Sequence, residues 1–419
     1  MKTCAYSFFL FCILCLSCQK DEGNISIETD QTKYDVGFEG DVLSIPFLCN
    51  SDWTVMSDST WCRPDPQSGS GNGTLSVTVD ANPSAQTRKS RVVIHGTNNT
   101  RTVSQEILIT QTPEVIEHHY ELPVVFHILY NNASDEKQNI RGEWLTEIVE
   151  QCNLFYKNQL YEYDNQSQDM NLQFVLATTK PDGTALEEPG IERIQWGQSI
   201  TISCDEFMNS NNTEYVDLLW DPTSYINIFI YAFKEDGVAG ISHLPYALPD
   251  SPLDGLKDGS FYLDNPVDYP HCISLNNMFV YETNANLDGR PELTTTFSHE
   301  MGHYLGLFHA FSANACNDTD YCDDTPNYNR ASYESWLDRM ANRITFKDAV
   351  ERTACDNTTF TSHNIMDYYH SYSDRFTLDQ RERVRHVLNN SPLIPGPKNP
   401  VDETKLTKSA VPPEIRTIR

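Results

Sequence analysis

The stretch that decides the fold is His299-Glu300-Met301-Gly302-His303-Tyr304-Leu305-Gly306-Leu307-Phe308-His309. It has the form H-E-x-x-H-x-x-G-x-x-H, in which His299 and His303 stand four residues apart. At 3.6 residues per turn, these two imidazoles lie about 40° apart on one face of a helix. Gly306 accepts a positive φ without steric cost, so it can end the helix and turn the chain back. His309 can then reach the same point, and the spacing therefore predicts three histidine ligands around one metal ion.

The same stretch also predicts the chemistry. Three imidazoles leave one coordination position open for water, which is typical of catalytic zinc. Zinc lowers the pKa of that water to about 7. Glu300 can take its proton as a general base and later deliver it to the leaving amine. The alternative is a helix with three unrelated histidines, but five specified residues match by chance with odds on the order of 10⁻⁴ or less.

A second motif, Asn364-Ile365-Met366-Asp367-Tyr368, follows His309. Together the two motifs resemble the metzincin peptidases, in which a Met-turn places a methionine beneath the three histidines. The resemblance implies that Met366 is structural support and not a ligand. It also implies that Tyr368 stands near the metal, where it can donate a hydrogen bond to the oxyanion of the tetrahedral intermediate. Simple packing of Tyr368 is the alternative.

The surrounding segments narrow the family. Asp324-Thr325-Pro326 follows the zinc helix, and Arg375-Phe376-Thr377 with Gln380 follows the Met-turn. These motifs resemble the pappalysin group of metzincins, which implies a mixed sheet with a backing helix and an active-site helix below it. Pappalysins usually carry a cysteine shortly after the Met-turn, but residues 369–373 contain none. That disulfide is therefore not expected here. Since Tyr372 occupies the corresponding region, a preference for basic residues after the scissile bond is not carried over either.

The chain of 419 residues is long enough for two or three domains. Residues 24–113 contain short alternating runs between turn clusters, which predicts an all-β sandwich. This stretch also resembles the BACON domain in Ser51-Asp52-Trp53-Thr54-Val55, Thr60-Trp61 and the closing Ile107-Leu108-Ile109-Thr110-Gln111. The resemblance implies binding of glycans or mucin, and a spacer role is the alternative.

The remaining boundaries follow from the pattern along the chain. Residues 114–120 form a linker, residues 121–391 alternate strands and helices, and the Pro-rich residues 392–419 are expected to be extended or disordered. Together with the resemblances above, this pattern predicts a multidomain fold class: an N-terminal all-β sandwich followed by an α/β (α+β) domain, which the resemblance implies is a metzincin zinc-peptidase domain. That second domain is expected to contain a mixed sheet and an active-site helix.

The first residues predict export. A short basic start and the apolar run Cys4–Leu16 form a signal peptide over residues 1–17, too short for a stable transmembrane span. Cys15-Leu16-Ser17-Cys18 resembles a bacterial lipobox, which implies lipidation of Cys18 and a linker over residues 18–23. Ordinary signal-peptide cleavage is the alternative, because Cys15 stands where leucine is usual. Gln19-Lys20-Asp21-Glu22 resembles the signal that exposes some Gram-negative outer-membrane lipoproteins at the cell surface.

Charge and cysteine usage limit the possible partners. The net charge of −29 leaves no basic face for nucleic acid. Eight cysteines follow Cys18, and an exported chain permits disulfides, although eight cysteines allow 105 pairings. Spacing favours pairs among Cys272, Cys316, Cys322 and Cys355. The oxygen-rich loop Asn317–Asp320 with Asp323-Asp324 suggests a calcium site, against the alternative of an acidic surface loop.

These observations predict a zinc-dependent endopeptidase that hydrolyses extracellular proteins or peptides and contacts the membrane only through its lipid anchor. Two alternatives stay open. One is an inactive surface lipoprotein that binds glycans or mucin through its β-domain. The other is a narrow peptidase that processes one envelope protein. The intact Glu300 and histidine triad argue against the first alternative, because a decayed site would tolerate losses there.

Overall fold

The computed structural model describes residues 24–84, 86–98, 101–113, 117–160, 166–199, 201–287, 289–340, 343–368, 370–401 and 406–419. The chain divides into two compact units between Glu117 and His118, within the predicted linker. The predicted signal peptide and Cys18 lie outside the described residues. In the described ranges, no helix has the length and apolar character needed to cross a bilayer.

The N-terminal unit is built of two facing β-sheets. Its strands are β1 (Ile27–Thr29), β2 (Lys33–Val36), β3 (Asp41–Cys49), β4 (Asp52–Ser57), β5 (Cys62–Asp65), β6 (Ser68–Ser70), β7 (Gly73–Val79), β8 (Arg88–Thr97) and β9 (Thr102–Gln111). One sheet has the order β1-β3-β7-β5, and the other has the order β2-β9-β8-β4-β6. Alternate residues of each strand point inward, as the period of two requires, so that Ile45, Val77, Ile94 and Ile107 form a fully buried core.

The two tryptophans of the BACON-like motif belong to this framework. Trp53 is 5% exposed, and its indole N–H donates to the carbonyl of Gly71 at 2.9 Å. Its ring meets Phe47 edge-on at 5.1 Å. Trp61 is covered by the Arg88 guanidinium, 4.2 Å above its ring. Both rings thus make contacts within the unit, as framework residues do.

The second unit is organised around a mixed sheet. Its strands in chain order are β10 (Tyr120–Tyr130), β11 (Leu172–Leu176), β12 (Ile191–Gln195), β13 (Thr201–Ile202), β14 (Ile226–Phe233), β15 (Gly240–His243), β18 (Ile273–Asn276) and β23 (Thr417–Ile418). The main order is β11-β10-β14-β18-β15-β23, with β12 beside β10 and β13 beside β14. Pairings among β10, β11, β14 and β18 are parallel, whereas β15 is antiparallel to both of its neighbours.

Short two-stranded ribbons complete the unit. They pair β16 (Tyr246–Ala247) with β17 (Lys257–Asp258), β19 (Thr283–Asn284) with β20 (Arg290–Pro291), and β21 (Glu351–Thr353) with β22 (Thr359–Thr361). The helices are α1 (Gly142–Tyr156), α2 (Cys204–Asn209), α3 (Thr213–Val216), α4 (Glu292–Tyr304), α5 (Arg330–Met340), α6 (Phe346–Ala349) and α7 (Leu378–Asn390). Single 3₁₀ turns span Ser260–Leu263, Asn277–Phe279 and Ala285–Leu287.

Both faces of the main sheet are covered, which explains the continuous apolar run of β14. Ile228 and Ile230 point into the core shared with α1, α4 and α7. Phe229 and Tyr231 point to the opposite face, where Phe207 of α2 packs against them. A strand buried on both faces loses the alternation of polar and apolar residues. This arrangement confirms the predicted fold class, a β-rich N-terminal region followed by an α/β domain with a mixed sheet.

Helix α1 backs α4, the helix that carries the HExxH sequence. The Tyr156 hydroxyl donates to the carbonyl of Ser298 at 3.0 Å, and Thr294 donates to the side chain of Gln151 at the same distance.

The described part of the tail also differs from the expectation of disorder. Leu393 and Ile394 are 2% and 1% exposed, and β23 joins the main sheet. The tail is ordered because these apolar side chains are buried and its backbone pairs with the sheet, although its proline content suggested disorder.

Candidate active site

Three histidines converge at the carboxyl end of α4. The Nε2 atom of His303 lies 3.0 Å from Nε2 of His299 and 3.1 Å from Nε2 of His309. A tetrahedral zinc site with Zn–N bonds of about 2.0–2.1 Å places its ligand nitrogens roughly 3.3 Å apart. In the described part of the chain, this is the one group of His, Cys, Asp or Glu side chains whose ligand atoms come together in this way. The spacing of the nitrogens therefore fits zinc.

The other ring nitrogens set the tautomers that zinc requires. Nδ1 of His299 donates to the carbonyl oxygen of Ile365 at 2.7 Å, and Nδ1 of His303 donates to that of Leu307 at 2.8 Å. A carbonyl oxygen only accepts, so the Nε2 atoms of these neutral rings carry lone pairs and cannot hydrogen-bond each other. Burial lowers the pKa of His299 to about 4 and that of His303 well below its usual value. Both rings are thus ready to bind a cation at neutral pH.

Gly306 makes the turn that returns the chain to this point. Its φ is +94°, and a β-carbon there would stand 2.7 Å from Val387. The Gly306 amide donates to the carbonyl of His303 and the Leu307 amide to that of Gly302, each at 2.9 Å. This is the Schellman pattern of helix termination, which favours glycine because φ is positive. The helix therefore ends at Tyr304, and the next residues bring His309 back to His303.

The Met-turn lies directly beneath the histidines. Met366 is fully buried, and its sulfur would be 2.5 Å from a β-carbon at Gly302, so glycine lets the sulfur approach the helix. Ala310, next to His309, donates its amide to the carbonyl of Met366 at 3.1 Å. Together with the bond from His299 to Ile365, this fixes the turn against two sides of the histidine site.

A buried polar group supports the Met-turn from below. Asp367 is 5% exposed and accepts a hydrogen bond from the Tyr328 hydroxyl at 2.6 Å. The Arg352 guanidinium stands 3.5 Å from the second carboxylate oxygen of Asp367 and donates to the carbonyl of His370 at 3.0 Å. From the other side, Arg290 donates to the carbonyl of Tyr372 at 2.9 Å. Arg352 and Arg290 thus hold the segment after the Met-turn, which lacks the cysteine usual in pappalysins.

Glu300 lies beside the histidine nitrogens, at the wall of a cavity. It is 3% exposed, and among the described residues none hydrogen-bonds its Oε2 atom. Burial raises its pKa well above the usual value. A β-carbon at Gly240 would stand 2.7 Å from Glu300 Oε1, so glycine leaves room for this carboxyl group. A buried carboxyl oxygen without a protein partner is a feature of sites that bind water, a metal ion or substrate.

Tyr368 stands at the opposite side of the triad. Its ring centroid lies 4.8 Å from that of His309 and 6.0 Å from that of His299. Burial raises the pKa of Tyr368 to about 12, so its hydroxyl is protonated at neutral pH and can donate. That hydroxyl donates to the backbone carbonyl of Arg419. The structure therefore brings together all the predicted site residues that it describes, from Glu300 to Tyr368.

Arg330 is a member of the site that the sequence motifs did not reveal. Its guanidinium lies 4.8 Å from the Tyr368 ring centroid, and the residue lines the same cavity as Glu300. Arg330 begins α5, in a segment without a recognisable catalytic motif, so its position depends on the folded chain. A cation there holds the Tyr368 ring and adds positive charge beside His309.

The cavity in front of these residues measures about 550 Å³. Its lining includes Gly237, Val238, Ala239 and Gly240, together with Glu292, Thr295, Thr296 and His370. His370 therefore stands at the cleft wall. His363, on the other flank of the Met-turn, instead pairs with Asp374 at 2.9 Å. Neither histidine joins the group of convergent nitrogens.

Cysteine pairing and the acidic loop complete the surroundings. Cys316 and Cys355 form a disulfide, whereas Cys272 and Cys322 are buried thiols. The carboxylate of Asp379 accepts the amides of Asp323 and Asp324 at 2.8 and 3.2 Å. In the described ranges the acidic side chains of this loop do not converge as the histidines do. Hydrogen bonds within the protein thus account for this loop, and calcium gains no support.

Comparison with known proteins agrees with this geometry. Residues 209–389 match the family model Peptidase_M43, described as pregnancy-associated plasma protein-A, and residues 51–112 match BACON, described as a putative N-terminal binding domain. The resemblance to the pappalysin group and to the BACON domain is confirmed. The pappalysin match contains the histidine triad, Glu300 and the Met-turn.

Several curated relatives are named extracellular metalloprotease. The one from Sordaria macrospora is 26% identical over 210 residues, which is 49% of this chain and 63% of that protein. One from Arthroderma benhamiae is 28% identical over 163 residues, 38% of this chain and 49% of that protein. The chain thus spans less than two thirds of the length of these relatives.

Two solved structures are also similar to the chain. Mature mirolysin of Tannerella forsythia, in complex with a cleaved peptide, is 21% identical with a TM-score of 0.45. That match covers 64% of this chain and 91% of mirolysin. Mirolysin in complex with compound 9 is 20% identical with a TM-score of 0.44, over 64% of this chain and 91% of that one.

Metal analysis tests the triad directly. We expect the purified chain to retain about one zinc ion after dialysis, and His303→Ala to retain almost none, because two imidazoles hold zinc far more weakly than three. His386→Ala is the matched control. His386 lies on α7 outside the triad, where its ring hydrogen-bonds to the carbonyl of Ser251. Elemental analysis by mass spectrometry gives the stoichiometry. Equal zinc content in all three proteins would contradict the assignment.

Proposed function

We propose that this chain is a zinc-dependent endopeptidase that hydrolyses peptide bonds of extracellular proteins. The observation that carries the proposal is the convergence of three neutral imidazoles, one of which, His299, lines the same cavity as the buried carboxyl group of Glu300. His299, His303 and His309 are the residues that would hold the metal. When bound, zinc supplies Lewis acidity, which lowers the pKa of water and polarises a carbonyl group.

Glu300 is the proposed general base and acid. Its side chain faces the cavity, and none of the described residues hydrogen-bonds its Oε2 atom, so it can hydrogen-bond an attacking water molecule. The carboxylate then removes a proton from that water. The same carboxyl group then passes the proton to the leaving amine as the C–N bond breaks. Burial at the cavity wall limits the bulk water that competes for this proton.

Tyr368 is the proposed donor to the oxygen that becomes negative as water attacks the carbonyl. Its hydroxyl is protonated at neutral pH and already donates to a backbone carbonyl, that of Arg419. Arg330 orients the Tyr368 ring through its guanidinium. A donor fixed in advance at the place where charge develops stabilises the transition state more than the ground state.

The N-terminal unit favours a second, separate role in binding. Its BACON match is described as a putative binding domain. Glycans or mucin are the proposed ligands, and a spacer that holds the catalytic unit away from the membrane is the alternative. An inactive lipoprotein that only binds such ligands would not need the intact Glu300 and triad. A narrow peptidase that processes one envelope protein would need them and differs only in substrate range.

The names of the relatives also support an extracellular setting. We propose a lipid anchor at Cys18 and exposure at the surface of a Gram-negative outer membrane. Both rest on the sequence of the first 22 residues.

Replacement of Glu300 tests the proposed function. We expect Glu300→Ala to reduce kcat for casein or gelatin by about 10²–10⁴-fold while zinc content stays the same, because the proton carrier is lost and the ligands remain. Glu382→Gln, an exposed change on α7, should keep wild-type activity. Cleavage is measured as release of soluble peptides. Equal cleavage by wild type and Glu300→Ala would refute the endopeptidase proposal.

Tyr368→Phe tests the donor separately. Loss of one preorganised donor should lower kcat by about 10²-fold with a small change in KM, because the bond matters most in the transition state. Tyr372→Phe is the matched control, since that ring stacks on His363 at 4.8 Å outside the histidine triad. Steady-state kinetics on a quenched fluorescent peptide give both constants. A purely packing role for Tyr368 would leave kcat unchanged in Tyr368→Phe.

Cell fractionation tests the anchor. We expect Cys18→Ser to release the protein from the membrane fraction of a Gram-negative host, because no acyl chains are attached. Cys12→Ser, a change inside the predicted signal peptide, should stay in the membrane fraction. Protease treatment of intact cells then reports surface exposure. Recovery of Cys18→Ser with the membranes, like the control, would contradict lipidation at this cysteine.

A further inference from the structure

The segment 406–419 leads into the active site along the sheet. Its strand β23 pairs with β15 in antiparallel register, with Ile418 opposite Ser242 and Thr417 opposite His243. The amide of Leu244 donates to the carbonyl of Arg416 at 2.9 Å. Without β23, strand β15 would be the edge strand of the main sheet. The tail thus occupies the backbone edge that stands beside Glu300 and the cavity.

The last described residue of this segment enters the cavity itself. Arg419 lines the same space as His299 and Glu300. Its carbonyl oxygen accepts the hydrogen bond of the Tyr368 hydroxyl. That hydroxyl is the group proposed above to stabilise the carbonyl oxygen of a substrate. A backbone carbonyl of the chain itself therefore lies where the carbonyl of a bound peptide would be expected.

The Arg419 side chain also has partners in α2. Its guanidinium lies 3.3 Å from the carboxylate of Asp205 and 3.8 Å from the Cys204 sulfur, both in α2. The side chains of Arg419 and Asp205 remain about half exposed, so solvent screens this pair and its contribution is modest. Asp205 thus offers a carboxylate to a basic side chain at this position, but the pair is not the main source of binding.

Contacts upstream show that the tail follows a defined path. Arg416 donates to the carbonyl of Gly255, and its guanidinium lies 5.8 Å from the Phe308 ring centroid. Ile415 packs on the buried cluster that contains Tyr246 and Leu393. Lys408 pairs with Asp264 at 2.9 Å. These anchors hold the tail close to the cleft, which raises its effective concentration at the edge of β15.

We propose that residues 416–419 bind the cleft as an extended peptide substrate would, and that they act as an internal competitor of substrate. The proposal rests on the proposed endopeptidase function and adds the regulation of that same site. An exposed strand edge binds extended peptides through backbone hydrogen bonds, which tolerate many sequences. The Arg419 backbone oxygen is the one that meets Tyr368, and the rest of the tail precedes Arg419 in the chain. Arg419 therefore takes the place of the substrate residue just before the scissile bond. Peptides with a basic residue there should fit best, because Asp205 faces it.

A tail-release variant of the full chain tests this competition. Ile418→Pro removes a backbone donor from β23, and Arg419→Glu places like charges beside Asp205. We expect the double variant to cleave a short peptide substrate with kcat/KM raised about tenfold, mainly through a lower KM. Arg343→Glu, an exposed charge reversal beyond α5, is the matched control and should match wild type. Unchanged kcat/KM in the double variant would contradict competition by the tail.

A binding measurement gives an answer that does not depend on catalysis. A fluorescein-labelled peptide with the sequence of residues 411–419, VPPEIRTIR, is titrated into the zinc-loaded double variant that also carries Glu300→Ala. We expect saturable anisotropy, weaker binding to the same protein with its own tail intact, and none for a scrambled peptide. Asp205→Asn should weaken binding about two- to fivefold, as expected for a half-exposed ion pair.

The outcomes separate the two proposals. Absence of peptide binding to the released protein, together with a lower unfolding temperature, identifies the tail as a structural clasp of the sheet edge and overturns the inference. Binding that the intact tail blocks supports it, whatever the catalytic result. If wild type and Glu300→Ala cleave equally while the peptide still binds, the endopeptidase proposal fails and the self-occupied peptide site stands.

Discussion

The hydrogen bond from Nδ1 of His299 to the carbonyl of Ile365 joins the two segments on which the site depends. It fixes the tautomer of a ring in the proposed metal site and at the same time holds the Met-turn beneath α4. Without it, Nε2 of His299 could carry the proton and lose its capacity as a ligand. The turn is held in place from the other side by Asp367, Tyr328 and Arg352, which are themselves buried. A change at any of these positions is therefore transmitted to the histidines through the backbone of the turn.

The second constraint is that side chains of the site lie very close to the backbone of neighbouring elements. Gly240 allows Glu300 to lie against β15, and Gly302 allows the Met366 sulfur to approach the helix. Gly306 supplies the positive φ that ends the helix. A β-carbon would displace Glu300 at Gly240 and Met366 at Gly302, and at Gly306 it would strain the backbone and contact Val387. The sequence around the site is thus restricted by space as much as by the identity of the ligands.

Local features of the site could be predicted from sequence. The spacing of His299, His303 and His309 follows from helix geometry, and the role of Gly306 follows from its freedom at positive φ. The alternation of residues in the N-terminal sheets and the apolar run of β14 also follow local rules. The sequence also indicated that Gly306 ends the zinc helix, and a Schellman turn at this glycine does end it at Tyr304.

Long-range features could not be predicted in this way. Arg330 and Arg352 reach the Met-turn from segments without a motif, and the disulfide between Cys316 and Cys355 is one of many pairings that the sequence allows. The tail was expected to be extended or disordered because of its prolines. Pro412 and Pro413 lack amide donors, but the following residues carry the donors and apolar side chains that pair with β15 and pack on Tyr246. Such pairing depends on a partner strand that is distant in sequence.

The most direct test of the account is a crystal structure of the purified chain with anomalous diffraction data at the zinc absorption edge. We expect one strong peak about 2.0–2.1 Å from Nε2 of each of His299, His303 and His309. Glu300 should lie beside it, and the Arg419 carbonyl should be hydrogen-bonded to Tyr368. A peak elsewhere, or well-ordered histidines without an anomalous peak after growth with zinc, would contradict the assignment of this site as a zinc centre.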